Sequence, residues 1–196
     1  TILIGFQADI ILWDFETREL VYRMTLHKGK VQSLAFSARD NFLASLGGLD
    51  DNSLVIWNLQ TGKAICGSPA ANDAAYAVKW ANTNEDTLVT GGASNLRVWQ
   101  LDLQNRKIRP TDCTLGHIKR NTLSIVIDPM DEFVYCGTDS GDILQVSDCV
   151  FLCCPFIILH TCTIVVGIIV VMWICTSITN ASLSCLHIPV CLMFQC

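Results

Sequence analysis

Three residues in the first third of the chain, His27, Ser45 and Asp51, are of the types that carry out nucleophilic hydrolysis. In that chemistry a histidine takes the proton of a serine hydroxyl while a carboxylate orients the imidazole. However, Trp57 follows Asp51 by six residues, and no Gly-x-Ser-x-Gly turn surrounds Ser45. This spacing favours a structural tetrad, in which the Asp, His, Ser and indole groups satisfy one another's hydrogen bonds inside a sheet.

Two further groups of residues are of metal-binding types. Asp50–Asp51 and Asp139 are carboxylates, but turns between short strands use Asp for their own hydrogen bonds. Cys153–Cys154, His160 and Cys162 lack the paired Cys-x-x-Cys spacing of a zinc site. We therefore expect no metal site, no cofactor and no catalytic residues.

A short basic run contains Arg106, Lys107 and Arg109. Such a run is usually a solvated loop, but it also fits a loop that contacts an acidic surface of a partner. We treat these three residues as a candidate partner-contact loop.

The positions of tryptophan identify an internal repeat. Trp13, Trp57 and Trp99 each end an apolar run, at spacings of 44 and 42 residues, and a fourth run has Val146 instead. Between these runs lie short alternating segments broken by Gly, Asp and Asn, which predict antiparallel strands. Four strands per repeat with a terminal Trp are typical of WD repeats, the blades of β-propellers. Residues 1–147 therefore predict an all-β, incomplete WD40 β-propeller of about three and a half four-stranded blades.

The second repeat has the most complete polar set. The third repeat keeps Thr90 and Trp99 but has Ala74 at the His position and Ala93 near the Asp position. The fourth repeat offers His117 and Asp139 but lacks the tryptophan.

Because the later repeats lose polar ties, packing between sheets should hold them together. Apolar residues of the inner strands should form that core. We expect Phe36 and Trp80 to belong to it.

Charge divides the chain into two unlike parts. The net charge is −5, and all 31 charged residues lie in 1–148. This balance argues against a nucleic-acid or anionic-membrane binder. The chain begins as if inside a strand, so we expect a fragment of a longer protein.

Residues 148–196 form a Cys-rich, apolar tail that carries no charge after Asp148, and it has three interpretations. Its segment 156–175 has 20 uncharged residues, and as one helix at ~1.5 Å per residue it could span a ~30 Å hydrocarbon core. Alternatively, Gln145-Val146-Ser147 is what an exon end and a splice-donor sequence encode, so the tail could be translated intron. The third interpretation is a buried soluble segment.

Four stretches carry a more specific resemblance than the WD pattern. They are 5–14 (GFQADIILWD), 46–51 (LGGLDD), 64–71 (AICGSPAA) and 97–108 (RVWQLDLQNRKI). Over roughly residues 1–145 the chain resembles a family of ciliary and flagellar WD-repeat proteins.

The resemblance implies part of the N-terminal propeller of a two-propeller protein without enzyme activity. It implies a cytoplasmic location in the axoneme of the cilium or flagellum, inside doublet microtubules, with a role in cilium motility. The implied partners are tubulin and other axonemal inner proteins. The alternative is a membrane-anchored WD40 adaptor whose tail is a transmembrane helix.

Overall fold

A computed structural model describes the backbone of residues 2–4, 8–115, 119–147 and 157–159, and the side chains of 8–115 and 119–146. Within these residues the secondary structure consists of fifteen strands and no helix, in agreement with the predicted all-β fold. The strands are β1 (Ile2–Ile4), β2 (Ile10–Trp13), β3 (Leu20–Met24), β4 (Val31–Phe36), β5 (Phe42–Gly47), β6 (Ser53–Asn58), β7 (Lys63–Pro69), β8 (Ala75–Trp80), β9 (Thr87–Gly92), β10 (Asn95–Asp102), β11 (Lys107–Asp112), β12 (Thr122–Ile127), β13 (Phe133–Thr138), β14 (Ile143–Ser147) and β15 (Ile157–Leu159).

The strands form four antiparallel sheets in which neighbours along the chain pair with each other. Sheet A has three strands in the order β1-β2-β3, and sheet B has the order β4-β5-β6-β7. Sheet C contains β8 to β11 and sheet D contains β12 to β15. Each sheet is thus a meander whose first and last strands lie at its edges.

Short polar turns allow the chain to reverse between these strands. Asp40, Asn52 and Asp131 have φ values of 57°, 43° and 60°. Asp and Asn are the non-glycine residues that best tolerate this left-handed region. The Asp and Asn positions that predicted turns therefore lie where the backbone needs them.

Apolar side chains between successive sheets form three cores. The alternation of strand side chains places one face of each sheet against its neighbour. A fully buried Leu or Ile side chain stabilises such a core by about 1.5–3 kcal/mol. Representative members are Ile10, Val31 and Leu43 between sheets A and B, Leu46, Trp80 and Trp99 between B and C, and Val89, Ile125 and Val134 between C and D.

Trp80 lies in the core as predicted, but the prediction for Phe36 is wrong. The Trp80 side chain is 2% exposed, stacks on Phe42 at a centroid distance of 6.3 Å, and donates its indole N–H to the carbonyl of Ala35 at 3.0 Å. Phe36 is 43% exposed. Both residues end the first strand of their sheet, but Trp80 packs on β4 of the preceding sheet. Phe36 would need the same kind of cover from the first strand of sheet A. Among the described residues, sheet A has three strands and none before β1 that could lie against Phe36.

The described part of the apolar tail is a strand. Ile157–Leu159 pairs with β14 through Ile143↔Leu159, Leu144↔Ile158 and Gln145↔Ile157. The rest of the segment 156–175 lies outside the described residues, so a helix there stays a prediction. In the part of the chain that the structure describes, no helix is long and apolar enough to cross a membrane.

Candidate functional site

The structure brings the four residues of the predicted tetrad together in sheet B. Ser45 lies in β5 and Trp57 in β6, while His27 and Asp51 come from the two loops at one end of these strands. The indole N–H of Trp57 donates to Ser45 Oγ at 2.8 Å. Ser45 Oγ lies 2.6 Å from His27 Nε2, and His27 Nδ1 is hydrogen-bonded to Asp51 Oδ2. The network therefore joins two strands and two loops.

Burial determines what this network can do chemically. Ser45 has no exposed surface and neither does the His27 side chain, so the hydroxyl does not face solvent. Burial would raise the pKa of Asp51, but hydrogen bonds from Ser53 and His27 outweigh it and lower the pKa. Asp51 thus stays an ionised acceptor at the end of the network.

Gly47 leaves the space that Asp51 needs. A Cβ atom at Gly47 would overlap the Asp51 carboxylate. Because that carboxylate is bonded to His27, any larger residue at position 47 would displace it. Glycine is therefore part of the arrangement, although it contributes no polar atom.

Sheet C has a reduced form of the network. The indole N–H of Trp99 donates to Thr90 Oγ1 at 2.8 Å. Between the two alanine positions, Asn95 supplies the tie, since its Nδ2 donates to the carbonyls of Ala74 at 3.3 Å and Ala93 at 2.9 Å. Sequence reasoning missed Asn95 because its partners are main-chain atoms, which leave no residue-type pattern.

In sheet D a cysteine occupies the serine position. Cys136 pairs with Leu144 as Ser45 pairs with Val55 in sheet B, and it has no exposed surface. Burial raises the pKa of Cys136 to about 12. This thiol is neutral at physiological pH.

The remaining predicted positions that the structure describes lie in sheets A and D. Trp13 ends β2, pairs with Leu20 and is half-buried. Asp139 accepts a hydrogen bond from Asn121 Nδ2 at 2.7 Å. The predicted His117 lies outside the described residues.

The structure separates the members of the basic run. Arg106 lies in the turn before β11 at φ 52°, and its guanidinium donates to two main-chain carbonyls of β7 at 3.4 Å. Arg109 forms an ion pair with Asp102 at 3.0 Å. Hydrogen bonds from Asn105, together with Arg109, lower the pKa of Asp102. Lys107 is exposed at the start of β11.

Two carboxylates, which sequence reasoning missed, tie neighbouring sheets together. Glu85, between β8 and β9, accepts hydrogen bonds from Ser37 Oγ at 2.8 Å, Asn41 Nδ2 at 2.7 Å and the N–H of Arg39 at 3.0 Å. All three donors belong to the first turn of sheet B. Burial would raise the pKa of Glu85, but the bonds from Asn41 and Ser37 outweigh it and lower the pKa.

Asp131 repeats this contact between sheets C and D. It accepts the N–H of Asn82 at 2.8 Å, the N–H of Thr83 at 2.7 Å and the side-chain amide of Asn82 at 2.9 Å. Burial would raise the pKa of Asp131, but bonds from Thr83 and Asn82 outweigh it and lower the pKa. Asp131 and its donors are 48 or 49 residues apart in the sequence, and only the packing of the two sheets brings them together. A local sequence pattern therefore does not reveal this contact.

The described His, Cys, Asp and Glu side chains are too dispersed to form a metal site. Among the side chains that the structure describes, no group of three or more His, Cys, Asp or Glu residues is placed to hold one. Asp50–Asp51 lie in a turn of sheet B, whereas Asp139 lies in a turn of sheet D.

Meandering four-stranded sheets stacked through apolar faces, with a tryptophan on the third strand bonded to a Ser or Thr on the second, define a β-propeller built from WD40 repeats. This chain is a WD40-repeat protein. The family model described as "WD domain, G-beta repeat" matches residues 18–58. These residues contain the complete tetrad.

Curated relatives share much more of the sequence. Cilia- and flagella-associated protein 52 of Chlamydomonas reinhardtii is 53% identical over 143 residues, which are 73% of this chain and 23% of the relative. The Homo sapiens protein of the same name is 50% identical over 146 residues, 73% of this chain and 24% of that protein. The chain thus spans about a quarter of the length of these relatives.

A solved structure shows the same fold at low sequence identity. The β-propeller domain of Cps50 (Swd1) from Myceliophteria thermophila matches with a TM-score of 0.62 and 17% identity. The match covers 72% of this chain and 46% of that domain. At this identity the likeness supports the β-propeller fold and nothing finer.

Proposed function

We propose that this chain is part of a non-enzymatic scaffold that binds other proteins in the cilium or flagellum. The observation that carries the proposal is the identity of 50–53% over 143–146 residues with two proteins named as cilia- and flagella-associated. WD40 propellers present loops and strand edges on a rigid framework, which suits them to protein interfaces. The expected location is the cytoplasm and the axoneme.

The finer proposal concerns the place within the axoneme. By resemblance, we infer that the scaffold binds tubulin and neighbouring inner proteins of doublet microtubules and supports cilium motility. The chain spans about a quarter of the relatives, so this role would require the remaining part of such a protein.

The proposal assigns His27, Ser45, Asp51 and Trp57 a structural role. A serine nucleophile must reach a carbonyl carbon and a nearby oxyanion hole. Ser45 has no exposed surface, and its oxygen already accepts the Trp57 indole N–H. A substrate would have to replace part of the sheet to reach it.

Within the candidate partner-contact loop, we assign the contact to Lys107. The guanidinium groups of Arg106 and Arg109 are engaged by β7 carbonyls and by Asp102. Lys107 is exposed at the same turn, so it is the cation of the three that a partner carboxylate meets most easily.

The location is tested by expressing the tagged chain in Chlamydomonas reinhardtii and fractionating isolated flagella. We expect the chain in the axoneme that remains after detergent extraction, and release into the detergent-soluble fraction would contradict the proposal. Co-pelleting with microtubules assembled from tubulin tests the finer partner assignment. There Lys107→Glu should weaken binding, whereas Lys79→Glu, at another exposed lysine, serves as the matched control.

We retain the boundary between the propeller at 1–147 and the tail at 148–196 as a proposal. A genuine membrane anchor predicts that the chain stays in membranes washed with alkaline carbonate. Translated intron predicts that transcripts splice directly after the codon of Gln145. Transcript sequencing and the carbonate wash therefore separate the interpretations of the tail.

A further inference from the structure

Two exposed leucines lie at the end of sheet B where the tetrad joins two loops. The loops are residues 25–30, before β4, and residues 48–52, between β5 and β6. Leu26 in the first loop is 54% exposed, and Leu49 in the second is 72% exposed. A single exposed leucine is ordinary on a protein surface, but here each of two joined loops presents one to solvent.

The corresponding loops of the neighbouring sheets have small or polar residues at these places. The turn between the second and third strands consists of residues 93–94 (AS) in sheet C and residues 139–142 (DSGD) in sheet D. In the loop before the first strand of sheet C, the exposed residues are 72–73 (ND). These strands are therefore connected without an exposed leucine, so the reversal of the chain does not require Leu49.

Hydrogen bonds hold the two loops of sheet B in one arrangement. The N–H of Gly48 donates to the carbonyl of Lys30 at 2.6 Å. The N–H groups of Asp51 and Asn52 both donate to the carbonyl of Gly48, at 3.0 and 2.6 Å. The tetrad adds the hydrogen bond between His27 and Asp51. Because the loops are already ordered, binding through them requires little further loss of conformational entropy.

Charged side chains beside the leucines define the chemistry of a partner. Lys28 and Lys30 are exposed in the first loop, and Asp50 is exposed in the second. A Cβ atom at Gly29 would lie 3.1 Å from the Cβ of Asp50, so these charged stretches lie against each other. They carry two cations for one carboxylate, in a chain whose net charge is −5. A complementary surface has apolar residues opposite the leucines and carboxylates opposite the lysines.

We propose that Leu26, Leu49, Lys28 and Lys30 form a docking surface for a segment of a partner protein whose apolar residues are flanked by Asp or Glu. Protein interfaces commonly combine an apolar centre with a polar rim, which is the arrangement that these four side chains supply. The tetrad then positions the two loops of the docking surface in addition to joining strands. This inference rests on the proposed role as a protein-binding scaffold, but it does not depend on the ciliary location.

The first test selects peptides from a library of random linear sequences displayed on phage, with the full chain immobilised. Peptides that also bind a Leu26→Ser, Leu49→Ser double variant are removed. We expect the remaining sequences to share apolar residues flanked by Asp or Glu. Selection of no common pattern, or of a basic pattern, would overturn the proposal.

A selected peptide, labelled and followed by fluorescence anisotropy, then tests individual residues. Leu49→Ser should weaken its binding at least about ten-fold, because the burial of a leucine side chain is lost. Met130→Ser is the matched control and should leave the affinity unchanged. Met130 is 70% exposed in the turn between β12 and β13, at the opposite end of the sheets. A Lys28→Glu, Lys30→Glu double variant should also weaken binding, because carboxylates of the peptide would then meet like charges.

Equal affinity for the wild type and Leu49→Ser, or an equal loss for Met130→Ser, would overturn the proposal. Binding of the chain to vesicles of phosphatidylcholine and phosphatidylserine that Leu49→Ser abolishes would also overturn it, since the leucines would then contact lipid. None of these outcomes affects the ciliary proposal, because fractionation of flagella tests it separately. Conversely, release of the chain into the detergent-soluble fraction would leave the docking surface standing.

Discussion

The carboxylate of Asp131 accepts the backbone N–H of Thr83 at 2.7 Å, across 48 residues of sequence. The contact joins the first turn of sheet D to the first turn of sheet C. Glu85 makes the corresponding contact from sheet C to the turn that contains Ser37 in sheet B. Sheets C and D are thus each tied by a carboxylate to the sheet before them, in addition to the apolar core between them.

Substitution of Asp131 measures how much its hydrogen bonds to the turn of sheet C stabilise the fold, because the apolar core is left unchanged. We expect Asp131→Asn to lower the free energy of unfolding by about 1–3 kcal/mol, because donors in the turn of sheet C lose an acceptor. Urea denaturation measures the change. Asp40→Asn is the matched control, since Asp40 is an exposed turn residue with φ 57° against 60° for Asp131. It should change the free energy by no more than about 0.5 kcal/mol, and equal losses at both positions would refute the assignment.

The same carboxylates predict a dependence of stability on acid. Hydrogen bonds lower the pKa of Glu85 and Asp131 in the folded chain despite the opposing effect of burial. A pKa that is lower in the folded than in the unfolded state stabilises the fold above the unfolded value, and this stabilisation is lost as the pH falls through the folded value. Thermal unfolding followed by circular dichroism should show a midpoint that falls as the pH drops below about 4.5. The fall should be shallower in a Glu85→Gln, Asp131→Asn double variant, and parallel curves would contradict the prediction.

The complete network of sheet B should contribute more to the free energy of unfolding than the reduced network of sheet C. Ser45→Ala leaves the Trp57 indole N–H and the His27 ring nitrogen without their partner, whereas Thr90→Val leaves the Trp99 N–H alone. Each unsatisfied buried group costs about 1–3 kcal/mol. We expect a larger loss of unfolding free energy for Ser45→Ala in urea denaturation. A loss at Thr90 equal to or greater than that at Ser45 would show that His27 gains nothing from the hydroxyl.

Two glycines with positive φ allow strain and crowding to be measured apart. Gly62 has φ 66°, and a Cβ there would lie 2.5 Å from Cδ1 of Tyr22, a residue of sheet A. Gly141 has φ 84° and no atom within 4 Å of such a Cβ. Alanine at either position should cost about 1 kcal/mol of backbone strain, and at Gly62 about 1–3 kcal/mol more from overpacking. Thermal unfolding of both variants tests this, and equal destabilisation would exclude the contact with Tyr22 as a cause.

The two free cysteines that the structure describes should react in a fixed order. Cys136 is fully buried with a pKa of about 12. Burial also raises the pKa of Cys66, but Cys66 is half-buried and Arg106 partly opposes the shift. Because the thiolate is the reactive form, a maleimide should label Cys66 before Cys136 in the folded chain, and Cys136 should react in urea. Peptide mapping by mass spectrometry measures the order, and early labelling of Cys136 would contradict its burial.

The features that the sequence predicted correctly depend on residues close together in the chain. The tryptophan repeat and the Asp and Asn turns predicted sheets that the structure contains, since both depend on local strand and turn preferences. It failed at Phe36, because the pattern of a strand states which residues are apolar but not whether a neighbouring sheet covers them. It also missed Asn95, whose partners are main-chain carbonyls.

The sequence alone determined the class of fold and the members of the tetrad, because strand periodicity and a repeated Trp spacing are encoded in residue order. The tertiary structure decided which polar groups meet across sheets, such as Glu85 with Ser37 and Asp131 with Thr83. It also decided that the guanidinium groups of Arg106 and Arg109 are hydrogen-bonded within the fold, although all three basic residues are exposed. These outcomes depend on the packing of sheets that are distant in sequence, and a hydrogen bond forms only when that packing brings donor and acceptor to within about 3 Å.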